Sequence, residues 1–297
     1  MGRVVGDFQL VIAKKFVAAG AGSLSMLLTS GCVNNCSRSQ SEYDPGSQVI
    51  LESRIQNALN DIGRSTFFLK VAAEYVPFLS SNLEEPSEGE PTPKSDDNKV
   101  SVSGTAFAYY RDENFTYLIT AAHVVSPPPF RMDENLNLQR LKSESVQLSL
   151  ADNQLDKDES DDIVLELIKT YEDVDISIIR AKNFLHVSTA YDALETNKLR
   201  AGEEVYVPGF PYGMTRFVST GKIGSMDGVP HFKAQKFSCP ILLAAETAPG
   251  HSGSPVFVRR GDRLYFAGIV LGLRDYITFV TGKSCLDSEI PVLGKGR

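Results

Sequence analysis

The sequence predicts an all-β protein, a barrel or a sandwich. Short runs rich in β-branched and aromatic residues recur along most of the chain. Clusters of Gly, Pro, Asn and Asp separate them at near-regular spacing. No fixed period of about 20 to 50 residues appears, which excludes a repeat array. The chain has 297 residues, 42% hydrophobic and 23% charged. That is an ordinary globular composition, long enough for one large β domain or two small ones. A net charge of −7 argues against a nucleic-acid partner, because phosphate-binding surfaces are basic. No apolar run reaches the roughly 18 residues that span a membrane as a helix.

The N-terminus reads as a targeting segment: Lys14-Lys15, an apolar stretch from Phe16 to Leu28, then Thr29-Ser30-Gly31-Cys32. A positive flank, an apolar core and small residues form a secretory signal. Residues 33–47 are polar and turn-rich, suited to a tether. Leu51, Ile55, Leu59 and Ile62 recur at helical spacing, which predicts a short outer helix that Ser47 can cap and Gly63 can end. Strands are expected at Thr66–Phe78, then in a hairpin of Val100–Tyr110 and Phe115–Thr120, and at Val146–Leu150, Ile163–Thr170 and Ile176–Ile179. Residues 82–98 and 152–162 are acidic and read as exposed loops. Ser126-Pro127-Pro128-Pro129 stops any regular element. The second half predicts strands at Glu204–Pro208, Phe217–Ile223, His231–Phe237, Cys239–Ala245, Pro255–Arg259, Leu264–Leu271 and Tyr276–Val280.

The segment with the most chemistry is Pro249-Gly250-His251-Ser252-Gly253-Ser254-Pro255. Glycines permit a sharp turn and a close backbone approach. Such a turn can aim successive N–H groups at a developing oxyanion. Ser252 becomes a nucleophile only if a base stands beside it. The chain holds four histidines. His123 closes the β-rich run Tyr117-Leu118-Ile119-Thr120-Ala121-Ala122, and Asp175 opens the alternating strand Ile176–Ile179. Asp173 is the alternative acid and Ser254 the alternative nucleophile. His251 reads as loop surface, because neighbouring side chains on an extended chain point apart. His186 and His231 read as surface or structural residues.

Six segments together resemble chymotrypsin-like (trypsin-like) serine peptidases of bacterial type: Gly104–Phe107, Thr120–Val125, Asp175–Ile179, Gly209–Gly213, Gly250–Pro255 and Gly268–Val270. The likeness is to the high-temperature-requirement proteases and the glutamyl endopeptidases. It implies two six-stranded antiparallel β-barrels with the active site in the cleft between them. It implies a serine endopeptidase with a His123–Asp175–Ser252 triad, an oxyanion hole from the N–H groups of Gly250 and Ser252, protein or peptide substrates, and no cofactor; the sequence has no CxxC pair or His/Cys cluster at zinc spacing, which predicts no metal. High-temperature-requirement proteases carry a peptide-binding PDZ domain after the protease; none is expected here. Digestive-type members carry an aspartate before the nucleophile to pair with a cut N-terminus. His251 stands there instead, so activation by N-terminal cleavage is not expected. Glu246 matches the acid that reads basic side chains in trypsin-like members, with solvation as the alternative. Leu271-Gly272-Leu273 resembles the strand beside the substrate pocket.

The residues before Cys32 resemble the lipobox of bacterial lipoproteins. This implies a lipid anchor on Cys32, export to the bacterial cell envelope, and membrane contact through that anchor alone. The expected organisation is a leader over 1–32, a tether and short helix over 33–61, and a peptidase domain over 62–297. The barrels would run over about 62–185 and 200–285. Cys239 and Cys285 are either a disulfide of an exported protein or two buried thiols. The competing functions are a catalytically silent peptide binder of the same fold and a structural envelope lipoprotein. The sequence does not set the oligomeric state.

Overall fold

The computed structural model describes residues 45–78, 99–132, 138–142, 147–150, 163–182, 185–194, 196–226, 239–274 and 276–289. The leader with Cys32, residues 33–44 of the tether, both acidic loops and the strand expected at His231–Phe237 lie outside these residues; residues 45–47, expected to end the tether and cap the helix at Ser47, already belong to the helix that begins at Pro45.

The described chain is mostly strand. In order it runs α1 (Pro45–Arg64), β1 (Thr66–Pro77), β2 (Lys99–Arg111), β3 (Thr116–Ala121), α2 (Ala122–Val125), β4 (Phe130–Met132), β5 (Leu138–Leu141), β6 (Gln147–Leu150), β7 (Leu165–Tyr171) and β8 (Ile176–Ala181). It continues through β9 (Asp192–Ala193), β10 (Glu204–Gly209), β11 (Phe217–Ser225), β12 (Pro240–Ala245), β13 (Pro255–Arg260), β14 (Arg263–Arg274), β15 (Ile277–Gly282) and α3 (Lys283–Glu289). No described helix is long and apolar enough to cross a membrane.

The second half closes a barrel. β13, β10, β11, β12, β15 and β14 pair antiparallel in that order, and β13 pairs again with β14 to complete the ring. The first half curls without a closing ladder. β6, β1, β2, β3, β8 and β7 are neighbours in that order, with the β4–β5 hairpin extending from the far end of β1. β6 and β7 approach each other at the seam. Full closure removes sheet edges, and only the second half achieves it among the described residues. The architecture is the all-β, two-barrel one expected.

Strand alternation explains how the halves join. On β13, Val256 and Val258 point into the closed barrel, where they pack with Val205, Val207, Ile223, Ile241, Leu243, Val270 and Val280. Phe257 between them points the other way, as period-two geometry requires. It meets Phe107 of β2 with ring centroids 5.9 Å apart, and Tyr191 of the connecting segment at 5.0 Å. Phe266 of β14 joins the same cluster, 5.8 Å from Phe107. These rings belong to one apolar core that spans both sheets, and each well-oriented aromatic pair adds about 0.5–1.5 kcal/mol beyond area burial.

Helix α1 lies against β1, β10 and β14. Its buried stripe is Ile55, Leu59 and Ile62. Polar clasps flank the stripe: Glu52 to Arg259 at 2.7 Å, Arg54 to Asp262 at 2.6 Å, and Arg216 to the Gly63 carbonyl at 2.5 Å. Asp61 accepts from Ser188 at 2.5 Å and meets His186 at 2.9 Å, so His186 is a structural residue of the barrel connection. A disulfide joins Cys239, just before β12, to Cys285 in α3.

Candidate active site

His123 sits in the single turn of α2, directly after β3. The β-branched run before it predicts a strand end, and the chain instead turns helical there. Asp175 explains the turn. Its backbone carbonyl accepts from Ala122 N–H at 2.9 Å, and its Oδ1 accepts from His123 N–H at 3.0 Å. Its Oδ2 lies 2.8 Å from His123 Nδ1. A carboxylate accepts, so Nδ1 is the donor; in a neutral ring this tautomer leaves the lone pair on Nε2. Asp175 adopts φ 52° between the 3-10 turn Glu172–Val174 and β8; aspartate is one of the few residues that tolerate this region. Asp173 is exposed on that turn, and Asp175 is the acid that reaches His123.

The serine loop is fixed by its carbonyls. Tyr212 N–H donates to the Pro249 carbonyl at 2.6 Å, and Ser254 N–H donates to the His251 carbonyl at 2.8 Å. In a trans peptide the C=O and N–H point in opposite directions. The N–H groups of Gly250 and Ser252 therefore project away from those anchors. His251, Gly253 and Ser254 N–H all have backbone acceptors, at 3.0, 2.8 and 2.8 Å. Gly250 takes φ +100°, where a Cβ would stand 2.2 Å from the Phe210 carbonyl oxygen, so only glycine fits. The Ser252 hydroxyl donates to the Leu271 carbonyl at 3.1 Å rather than to His123.

The two halves meet around Gly104 and Thr105. A Cβ built on Gly104 would lie 2.7 Å from Val124 Cγ2 and 2.9 Å from the Ser252 carbonyl oxygen, so the α2 turn and the serine loop crowd one point. Thr105 N–H donates to the Ser252 carbonyl at 2.8 Å, and its hydroxyl donates to the Gly250 carbonyl at 2.8 Å. Thr120 Oγ1, on the strand leading to His123, donates to the Thr105 carbonyl at 2.7 Å. Beside Asp175, Thr281 of β15 donates to the Val174 carbonyl at 2.9 Å. Sequence reasoning noticed Gly104-Thr105 as a motif but missed Thr105 as the link. A buried, β-branched hydroxyl beside a conspicuous glycine was the available signal.

A cavity of about 130 Å³ opens beside Ser252, lined by Thr247, Ala248, Pro249, His251, Val270, Gly272 and Leu273. None carries a carboxylate. Glu246 is exposed and lines a separate neighbouring cavity of about 430 Å³ with Thr220, Leu273 and Tyr276. Gly272 and Leu273 border the smaller cavity. Leu271 does not: its side chain is buried in the core, and it contributes only its carbonyl, presented at a β-bulge between Val270 and Gly272. His251 corrects the sequence reading. It is not loop surface but 1% exposed. The ring faces Ser219, Gly209 and Ser254, which cover it, and not solvent.

Two β barrels, with a His–Asp pair on the first and a glycine-flanked serine loop on the second, define the chymotrypsin-like class of serine protease fold. Residues 104–264 match the model for the trypsin-like peptidase domain, more than half of the chain, and the chain belongs to that family. The family consists of serine-type peptidases. Among solved structures, the chain resembles the HtrA-type protease AlgW with a decapeptide: TM-score 0.53, 17% identity, over 80% of this chain and 66% of that one. It also resembles an alanine variant of AlgW with a decapeptide: TM-score 0.52, 16% identity, over 82% and 67%. At such identities the likeness is one of fold. The chain spans about two thirds of the AlgW length. No curated protein matches it by sequence.

Proposed function

We propose that the chain is a serine endopeptidase that cleaves peptide bonds through an acyl-enzyme on Ser252. The observation that carries this reading is the pair of hydrogen bonds from His123 to Asp175, at 3.0 Å from the backbone N–H and 2.8 Å from Nδ1. It leaves Nε2 as the acceptor a nucleophile needs. Rotation about the Ser252 Cα–Cβ bond exchanges the Leu271 carbonyl for Nε2. Ser252 Oγ then bonds to the substrate carbonyl carbon while its proton moves to His123. Asp175 stabilises the imidazolium. The proton passes to the leaving nitrogen as the C–N bond breaks, and a water repeats the sequence to release the acid. The N–H groups of Gly250 and Ser252 receive the oxyanion; losing one such donor typically costs about 100- to 1000-fold in rate.

The cavity beside Ser252 supports a small, uncharged side chain before the scissile bond. AlgW has been captured with a decapeptide, which supports peptide substrates here. Glu246, facing the neighbouring cavity, is not the reader of basic residues in this proposal. A Glu246→Gln variant is expected to keep the wild-type cleavage profile on a peptide library; a lost preference for Lys or Arg would restore Glu246 to that role. Export as an envelope lipoprotein anchored on Cys32 belongs to the same proposal, supported by the Cys239–Cys285 disulfide, since disulfides persist in oxidising compartments.

A fluorophosphonate probe tests the central step. Wild type is expected to be labelled on Ser252 and to cleave peptides, and Ser252→Ala to do neither. A wild-type protein that binds peptides without labelling or cleavage would make this a silent binder.

A further inference from the structure

We propose that His251 is a positioning residue for hydrolysis: as a neutral ring protonated on Nε2, it ties the Ala248–Gly250 turn to Ser219 of β11 and so aims the Gly250 and Ser252 N–H groups into the cleft. This deepens the peptidase reading and rests on it.

The hydrogen bonds fix the tautomer. The Ser219 hydroxyl donates to the Glu246 carbonyl at 2.7 Å. That uses its one proton, so its oxygen is the acceptor toward His251 Nε2, 3.3 Å away. Nε2 therefore carries the ring proton. Nδ1 is then an acceptor, and Ala248 N–H stands 3.2 Å from it. The Ala248 carbonyl, also 3.2 Å from Nδ1, already accepts from His251 N–H at 3.0 Å. The ring thus spans two elements: β11 through Ser219, and the turn after β12 through Ala248.

The surroundings favour the neutral ring. Ser219 is 2% exposed and His251 1%. Facing the ring are Ser219, the backbone of Gly209 and the Ser254 hydroxyl; a Cβ on Gly209 would lie 2.9 Å from His251 Cδ2 and 2.1 Å from Ser254 Oγ. Across the cavity stand Thr247, Pro249, Val270, Gly272 and Leu273. None of these side chains titrates. Glu246 contributes only its carbonyl, through Ser219. A cation there would have no counter-ion among the described residues, and a charge buried unpaired is strongly disfavoured. Burial accordingly holds the imidazole below its ordinary pKa; the Ala248 carbonyl near Nδ1 opposes this, because it favours a proton there.

The consequence for catalysis follows from the loop. Gly250 lies between Ala248 and His251, both tied to the ring. Remove the ring's bonds and the turn loses its tie to β11 directly beside the nucleophile. A displacement of about 1 Å at reacting groups can cost about 100-fold.

The test uses the full-length protein and four measurements. His251→Leu is expected to lower kcat by about 10- to 100-fold, with KM changed less than about threefold. Fluorophosphonate labelling should slow in parallel. His251→Asn, whose side-chain oxygen can accept from Ala248 N–H, should recover most of kcat. Ser219→Ala should lower kcat in the same direction by less. If His251→Leu fails to fold, Ser219→Ala and the ring's nitrogen NMR signals decide. Those signals, read in Ser252→Ala, should report a neutral ring with the proton on Nε2 at about pH 7–8, and a ring still more than half neutral at the ordinary value of about 6.5. An Nδ1–H ring, or His251→Leu with wild-type kcat, overturns the positioning role while leaving the peptidase reading intact. A wild type that neither labels nor cleaves sinks the peptidase reading instead, and the NMR result still reports on the clasp.

Discussion

Thr105 connects both halves of the cleft through one fully buried side chain. Its hydroxyl donates to the Gly250 carbonyl at 2.8 Å and accepts from Phe210 N–H at 3.3 Å. Thr105→Val keeps the shape but leaves both backbone groups without partners. The expected cost is about 1–3 kcal/mol of stability with a fall in kcat, whereas Thr105→Ser should retain most of both; denaturant unfolding and peptide hydrolysis measure them. Gly253 is less forgiving. It has φ +90°, and a Cβ would meet the Thr105 carbonyl oxygen at 1.9 Å. Gly253→Ala adds about 1–2 kcal/mol of left-handed strain to a clash with backbone that cannot swing aside, so loss of folded, active protein is expected. His251 carries a pH signature. Its folded pKa lies below the ordinary 6.5, so the unfolded chain takes up its proton first as pH falls. The stability from the neutral ring is complete above about 6.5 and is lost as pH drops from there toward the folded value. Between pH 7 and 5 the melting temperature of wild type should fall more steeply than that of His251→Asn; equal slopes would show that the ring takes up its proton without cost.

Helix α1 is held by two kinds of attachment of unequal worth. Its ion pairs, Glu52–Arg259 at 2.7 Å and Arg54–Asp262 at 2.6 Å, involve partly exposed side chains, and such pairs contribute about 0–1 kcal/mol. Ile62 is wholly buried, and truncating a buried isoleucine to alanine costs about 2–5 kcal/mol. Ile62→Ala should therefore destabilise several times more than Glu52→Gln in urea unfolding; comparable effects would mean that the clasps, not the stripe, hold the helix. The stripe could be read in the sequence because it repeats at helical spacing. So could the long strands, where alternation persists. β4, β5 and β9 could not: at three, four and two residues they are too short to show a period. The α2 turn was hidden for another reason. Ala122–Val125 has no strong helical preference, and its shape is imposed by Asp175, far along the chain. The site divides the same way. His123, Asp175 and the Gly250–Pro255 turn stood out as local motifs. The Thr105–Gly250 bond joins positions 145 apart, and the burial of His251 depends on Ser219, 32 positions away, and on Gly209; no local pattern records either.

At the scale of the whole molecule, the question is whether two barrels behave as one body. The aromatic cluster answers from packing: Phe107 of the first half and Phe257 and Phe266 of the second share a core, so opening one half exposes the other's rings. Hydrogen bonds repeat the point at both ends of the cleft, Thr105 to Ser252 on one side and Thr281 to Val174 on the other. The Cys239–Cys285 disulfide acts elsewhere. It lies within the second half, closing a separation of 46 residues, and its main effect is on the unfolded chain. A loop of that size corresponds to about 4 kcal/mol in the chain-entropy model, with about 2–4 typical of measurement. At roughly 2–4 °C per kcal/mol for a body of this size, reduction should lower the melting temperature by about 4–16 °C. Because the shared core is untouched, the melt should remain a single transition. Two separated transitions after reduction would show instead that the disulfide, rather than the aromatic core, makes the second half unfold together with the first.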